Sequence, residues 1–78
     1  MTQLDKLIDK IRARPPEAGF DDVRLVLEAF GWVFDRERGS HCHFVKEGEL
    51  PLTIPKTHGR KVKRVYLDLL IKRLELDN

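Results

Sequence analysis

The hydrophobic and polar residues of this chain repeat with two periods, one of about 3.6 residues and one of two. The longer period comes first. One apolar stripe at helical spacing is formed by Leu4, Leu7, Ile8 and Ile11. Thr2 with Asp5 is typical of a capping box at a helix start, and the double proline at residues 15–16 ends the segment. We therefore predict a short helix within residues 1–14.

Two later segments repeat the helical period. One follows Phe20, with Asp21 as its expected N-cap. Gly31 is expected to end this helix, because glycine readily adopts a left-handed backbone. The last predicted helix begins near Lys63. Its apolar positions are Val62, Val65, Tyr66, Leu69, Leu70 and Leu74.

Between these two helices the period changes to two, which predicts three strands. The first strand begins at Trp32, and regular alternation would place Phe34, Arg36 and Arg38 on one face. The third strand spans residues 50–55. Its two prolines favour a position at the edge of a sheet, because proline donates no hydrogen bond to a neighbouring strand.

The middle strand follows a predicted turn at residues 39–40 and contains two histidines. Alternation directs Cys42 and Phe44 to one face of this strand and His41 and His43 to the other. Phe44 is the clearest core residue of the four. The two histidines are therefore expected to share the more open face.

The predicted order is helix, helix, strand, strand, strand, helix, which indicates a single α+β domain over residues 1–78. A three-stranded antiparallel sheet with the helices on one face would bury each apolar stripe. The other face of the sheet would stay available for a ligand.

Charge is distributed unevenly along the chain. The net charge is only +2, but residues 56–78 hold seven Lys and Arg against three Asp and Glu. Most of this excess comes from the basic run at residues 56–64, whose charged or titratable members are Lys56, His58, Arg60, Lys61, Lys63 and Arg64. Such a run indicates an anion-binding surface, and phosphate is the commonest anion. The alternative is a solvated loop and helix start.

Composition narrows the class of protein. With 41% hydrophobic and 36% charged residues, the chain is typical of a soluble globular domain and has no predicted membrane span. The N-terminal pattern does not resemble a secretory signal, so we expect a cytoplasmic protein. The one cysteine, Cys42, cannot form an internal disulfide, and we expect it to be a small core residue.

Six short motifs follow one another between Phe20 and Leu76. They are Phe30-Gly31-Trp32, Gly39-Ser40-His41, Phe44, Thr53-Ile54-Pro55, His58-Gly59 and Val62-Lys63 leading to Tyr66-Leu67. In this order they resemble the HicA-type mRNA interferase toxins. The resemblance covers residues 20–76, and the predicted helix in residues 1–14 is an addition to this core.

The resemblance implies a fold like that of double-stranded-RNA-binding domains, with the order α-β-β-β-α. It also implies a ribonuclease that needs no metal or other cofactor and cuts messenger RNA, with His41 as the catalytic histidine. The implied partner is a HicB-type antitoxin that covers the active face. We expect the toxin alone to be a monomer.

Cleavage of RNA without a metal needs a base, an acid and positive charge near the phosphate. Histidine can serve as base or acid because it exchanges a proton near neutral pH. His43 and Ser40 are candidates for catalytic support, although the spacing favours a turn role for Ser40. The predicted RNA-binding residues are Lys56, His58, Arg60, Lys61, Lys63 and Arg64.

Other functions use the same residues. A non-catalytic RNA-binding module would need the basic run but not His41, and a small protein-interaction domain would need no RNA. A metal site could use His41, His43 and His58, because the first two share a strand face. The opposite direction of Cys42 and the lack of an acidic residue at ligand spacing argue against the metal site.

Overall fold

The computed structural model describes residues 2–57 and 59–76 of the 78-residue chain. Within those residues, the helices are α1 (Gln3–Arg12), α2 (Phe20–Ala29) and α3 (Arg64–Arg73). The strands are β1 (Glu17–Gly19), β2 (Val33–Arg38), β3 (His41–Val45), β4 (Leu52–Pro55) and β5 (Lys61–Lys63). No described helix is long and apolar enough to cross a membrane.

The first two helices begin in different ways. Thr2 and Asp5 form the predicted capping box of α1, in which the Asp5 amide donates to the Thr2 hydroxyl at 3.1 Å. The N-cap of α2 is Gly19, which has no side chain to accept a hydrogen bond. The prediction of Asp21 as N-cap is therefore wrong. Its carboxylate instead accepts a hydrogen bond from Arg60 Nη2 at 2.9 Å.

Three strands form the predicted antiparallel sheet, in the order β2-β3-β4. Strand β4 lies at an edge, as its prolines indicated. In the central strand, Cys42 and Phe44 are fully buried, whereas His41 is exposed and His43 is half-buried. These exposures confirm the predicted alternation of β3.

The core lies between one face of this sheet and the three helices, as predicted. Its largest fully buried side chains are Ile11, Phe20, Leu27, Phe44, Ile54, Leu67, Leu70 and Ile71. The ring of Phe44 lies 6.2 Å from that of Phe20 and 5.4 Å from that of Phe34, centroid to centroid. The second pair is edge-to-face, a favourable geometry for aromatic rings.

A second, two-stranded sheet was not predicted from the sequence. Strands β1 and β5 pair antiparallel, with Ala18 opposite Val62 and both side chains buried. Val62 was expected in the last helix, which instead begins at Arg64. Strands of three residues are too short to show a period of two against a neighbouring helical pattern. The ladder ties the basic run to the start of α2.

The buried face of α3 differs from the predicted stripe. Val65 and Leu69 are 63% and 37% exposed, respectively. The buried residues of α3 and its cap are Leu67, Leu70, Ile71 and Leu74. Apolar residues lie on more than one side of this helix, so the helical period alone does not decide which side faces the core.

Strand β4 also begins two residues later than predicted, and this difference can be tested with a matched pair of substitutions. Leu52→Ala should lower the free energy of unfolding by about 3 kcal/mol, because the Leu52 side chain is 2% exposed and its loss leaves a cavity. Leu50→Ala should change it by less than about 0.5 kcal/mol, because Leu50 is 76% exposed. Urea unfolding followed by circular dichroism measures both. Equal losses would contradict this register.

Candidate active site

Strand β2 contains a β-bulge that changes which side chains accompany the histidines. The register shifts between Phe34 and Arg36, after which Arg36 lies opposite His43 and Arg38 lies opposite His41. Residues directly opposite each other in an antiparallel pair share a face. Both arginines therefore lie on the histidine face. Their predicted place beside Phe34 is wrong, because a bulge adds one residue and reverses the alternation beyond it.

We call the side of the β2-β3-β4 sheet away from the helices the open face. Its residues are Val33, Arg36, Arg38, His41, His43, Val45, Thr53 and Pro55. Val33 and Val45 pair with each other at one end, and Arg38 and His41 pair at the other. The open face thus has an apolar end and an end rich in nitrogen donors.

His41 lies at the start of the central strand, at the donor-rich end of the open face. Its neighbours across the sheet are Arg38 on one side and Pro55 on the other. The side chain is exposed, and its ring has no hydrogen-bond partner among the described side chains. The imidazole is therefore accessible to a ligand.

His43 is more constrained than His41. Its Nδ1 lies 3.1 Å from the hydroxyl of Thr53, which is directly opposite it on β4. This hydrogen bond orients the imidazole and leaves Nε2 to exchange a proton with a ligand. Sequence reasoning missed Thr53 as a site residue, because a threonine in a strand has no distinguishing spacing until its cross-strand partner is known.

Three cations of the basic run, Lys56, Arg60 and Lys63, line a groove beside the residue 39–40 turn. We call this the turn groove. It has a volume of about 740 Å³ and is lined by Glu17, Glu37, Gly39, Ser40, Lys56, Thr57, Arg60 and Lys63. Lys56 enters it from the helix side of the sheet, with Nζ 2.9 Å from Glu37 Oε2 and 5.0 Å from the ring centroid of Phe20.

Two further cations of the basic run also have partners within the protein. The hydrogen bond and the charge of Asp21 raise the pKa of Arg60 above its ordinary value. The backbone amide of Arg64 donates to the Pro16 carbonyl at 3.1 Å. Its Nε lies 3.5 Å from the Pro15 carbonyl. These contacts limit how far the two guanidinium groups can turn toward a ligand.

Lys61 and Lys63 differ from the rest of the basic run. Both are exposed on β5, where Lys61 precedes and Lys63 follows the buried Val62 in the sequence. Neither forms an ion pair within residues 2–57 and 59–76. These two lysines are the most available cations of the run.

The predicted site residues are thus divided between two surfaces. His41 and His43 share the open face, whereas Ser40 and Lys56 line the turn groove. The Ser40 carbonyl accepts a hydrogen bond from the Lys56 amide at 2.8 Å, which holds the turn against the end of β4. His58 lies outside the described residues.

The metal site considered from the sequence can be compared with the described side chains. No group of three or more His, Cys, Asp and Glu residues among them is arranged to hold a metal ion. Cys42 points into the core, as its alternation predicted, and burial raises the pKa of its thiol.

A three-stranded antiparallel sheet with helices on one face defines an α+β domain like those that bind double-stranded RNA. The comparison with protein families then identifies the particular family. The family model described as the HicA toxin of bacterial toxin-antitoxin systems matches residues 20–76 of this chain. The chain belongs to the HicA toxin family, as its motifs indicated. No curated protein and no solved structure matches significantly.

Family membership has direct consequences for the class of the protein. It is a toxin of a toxin-antitoxin system, and the family implies a HicB-type antitoxin as its partner. The matched residues contain the whole β2-β3-β4 sheet, whereas α1 lies outside them.

The burial of Cys42 can be tested by its reactivity. Thiolate, rather than thiol, attacks a disulfide reagent, so a buried thiol with a raised pKa should react slowly. In the native protein we expect slow reaction with Ellman's reagent, and fast reaction after unfolding in urea. A Val45→Cys variant is the control, because position 45 is 38% exposed on the open face. Two equally fast thiols in that variant would contradict the assignment of faces.

Proposed function

We propose that the protein is a ribonuclease toxin that cleaves messenger RNA without a metal ion, with His41 as a catalytic acid or base. The supporting observation is that His41, to which the family resemblance assigns catalysis, is exposed on the open face. Its ring is accessible, and Arg38 lies directly opposite it. The proposed place of action is the cytoplasm, where messenger RNA is translated.

The proposed reaction is an internal displacement at a phosphodiester of RNA. A base removes the proton of the 2′-hydroxyl, and the 2′-oxygen attacks the phosphorus. The bond from phosphorus to the 5′-oxygen then breaks, and an acid gives a proton to the leaving oxygen. The products are a 2′,3′-cyclic phosphate and a free 5′-hydroxyl. Each proton transfer suits an imidazole near neutral pH.

We assign the two proton transfers to His41 and His43. Residues two apart in a strand are separated by about 7 Å along it, which leaves room for a phosphate between their imidazoles. The Thr53 hydroxyl orients His43 by its contact with Nδ1. His41 has no such support among the described residues, and its ring can follow the substrate. Ser40, the residue before His41, is proposed to support catalysis by shaping the turn.

The basic run is proposed to bind the RNA backbone at phosphates on either side of the one that is cleaved. Lys61 and Lys63 are the strongest candidates, because they are exposed on β5. The turn groove adjoins the turn that carries His41, so one strand of RNA can contact both surfaces. The full set of proposed backbone contacts is Lys56, His58, Arg60, Lys61, Lys63 and Arg64.

The antitoxin is proposed to neutralise the toxin by covering the open face. The apolar end of that face supports this proposal, because Val33 and Val45 are exposed there beside the histidines. A partner that buries the two valines also blocks access of RNA to His41. We expect the toxin to be a monomer when the antitoxin is absent.

A second candidate function is RNA binding without cleavage. It is favoured by one observation, namely that Lys61 and Lys63 are exposed at a surface separate from the histidines. Such a module would keep its salt-sensitive affinity for RNA when His41 is replaced. It would produce no cleavage products.

The first test of the proposed function is the His41→Ala variant. Expression of the wild type should arrest growth of the host cell, and His41→Ala should not. Cleavage of RNA by the purified variant should fall by about 10²-fold to 10⁴-fold, because a proton-transfer group is lost. RNA affinity should change little. Gel analysis of a long transcript measures cleavage, and fluorescence anisotropy measures binding.

The matched control for this test is Lys6→Ala, an exposed substitution on α1 outside the family match. It should be as toxic as the wild type. Equal toxicity of His41→Ala and the wild type, or equal harmlessness, would overturn the catalytic assignment. Binding that survives His41→Ala without cleavage by either protein would support the non-catalytic module.

The second test concerns the backbone contacts. Lys61→Ala and Lys63→Ala should each weaken binding to single-stranded RNA and reduce the slope of log affinity against log salt by about 0.7. The cleavage rate at saturating RNA should stay unchanged, because neither lysine lies on the open face. Lys6→Ala again serves as control. An unchanged salt slope would remove β5 from the RNA-binding surface.

A further inference from the structure

The bulge in β2 controls the charge of the open face. With regular alternation from the half-buried Phe34, the next open-face residues would be Asp35 and Glu37. Both would place a carboxylate beside the histidines and repel phosphate. The bulge instead places Arg36 and Arg38 there. It thereby brings two positive charges to the open face and moves the Glu37 carboxylate to the other side of the sheet.

The displaced Glu37 has a defined place on the other side of the sheet. Its Oε2 lies 2.9 Å from Lys56 Nζ, and the Lys56 side chain is only 11% exposed. A buried or half-buried amine is stabilised by such a partner. This ion pair thus holds both the Glu37 carboxylate and the Lys56 ammonium group away from the open face.

The two arginines of the open face have no strong partners among the residues that the structure describes. Arg36 Nε lies 3.9 Å from the Asp35 carboxylate in an exposed pair, which contributes little. Arg38 has no ion pair with any residue that the structure describes. By contrast, Arg24 contacts Glu28 and the Phe34 ring.

The positions of the arginines match those of the histidines one to one. Arg38 is opposite His41, and Arg36 is opposite His43. Side chains directly opposite each other in an antiparallel pair start about 5 Å apart at Cβ. An anion bound between the imidazoles is therefore within reach of both guanidinium groups. Among the described residues, the exposed Asp35 carboxylate beside Arg36 is the one acidic partner of this pair of arginines.

We propose that Arg36 and Arg38 bind the phosphodiester that is cleaved, and that they stabilise the negative charge of its pentacoordinate state. The inference rests on the proposed ribonuclease function. Guanidinium groups suit this role because they present paired donors to phosphate oxygens and stay protonated throughout the reaction. The arginines neither gain nor lose a proton. The basic run then holds only the flanking backbone.

The test compares single-turnover cleavage of a long single-stranded transcript by four variants. Arg36→Ala and Arg38→Ala should each lower the rate at saturating RNA by about 100-fold, because a charge aimed at the transition state is lost. Arg38→Lys should restore part of the rate, since it keeps the charge but not the paired donors. Arg12→Ala, exposed on α1, should cleave like the wild type.

The outcomes separate this inference from the proposed function. If His41→Ala is inactive while both arginine variants cleave at the wild-type rate, the inference is wrong and the ribonuclease stands. If His41→Ala cleaves like the wild type, the catalytic role of His41 is wrong. A loss of affinity without a loss of rate at saturation would place the arginines in ground-state binding only, which also overturns their proposed role.

A second measurement does not depend on cleavage. A single-stranded DNA oligonucleotide has no 2′-hydroxyl and serves as an uncleavable phosphodiester probe. Its titration should shift the ring signals of His41 and His43 in proton-nitrogen NMR spectra of the wild type. In the Arg36→Ala, Arg38→Ala double variant these shifts should disappear at the same probe concentration. Shifts of equal size in both proteins would overturn the inference.

Discussion

The packing of Phe44 between the rings of Phe20 and Phe34 is the constraint on which the rest of the site depends. It determines which way the central strand faces. A slip of one residue in β3 would bury His41 and His43 and expose Phe44, and burying two imidazoles without partners would be costly. The same aromatic packing therefore stabilises the fold and places His41 and His43 on the open face.

The bulge in β2 depends on the same cluster. Phe34 remains paired with Phe44, so the extra residue is accommodated beyond it, on the side toward the turn. The consequence is a separation of charge across one thin sheet. Cations lie with the histidines on the open face, and the Glu37 carboxylate lies with Lys56 on the helix side. An electrostatic surface suited to phosphate is thereby built from a strand whose composition is nearly neutral.

The small β1-β5 ladder connects the basic run to the remainder of the molecule. Its pairing places Lys61 and Lys63 opposite Gly19 and Glu17. The Phe20 amide also donates to the Arg60 carbonyl at 2.8 Å, next to the ladder. The start of α2 therefore positions both the aromatic cluster and the loop that carries the cations. It thereby fixes the position of the turn groove relative to the open face.

The sequence by itself determined the three helices, the three-stranded sheet and the alternation of β3, because each rests on a local period around an unambiguous apolar residue such as Phe44. The family motifs were likewise readable without coordinates. Only the tertiary structure decided that Arg36 and Arg38 face His43 and His41, and that Thr53 orients His43. A bulge and a cross-strand hydrogen bond depend on which residue of a neighbouring strand lies opposite, and no period within one strand contains that information.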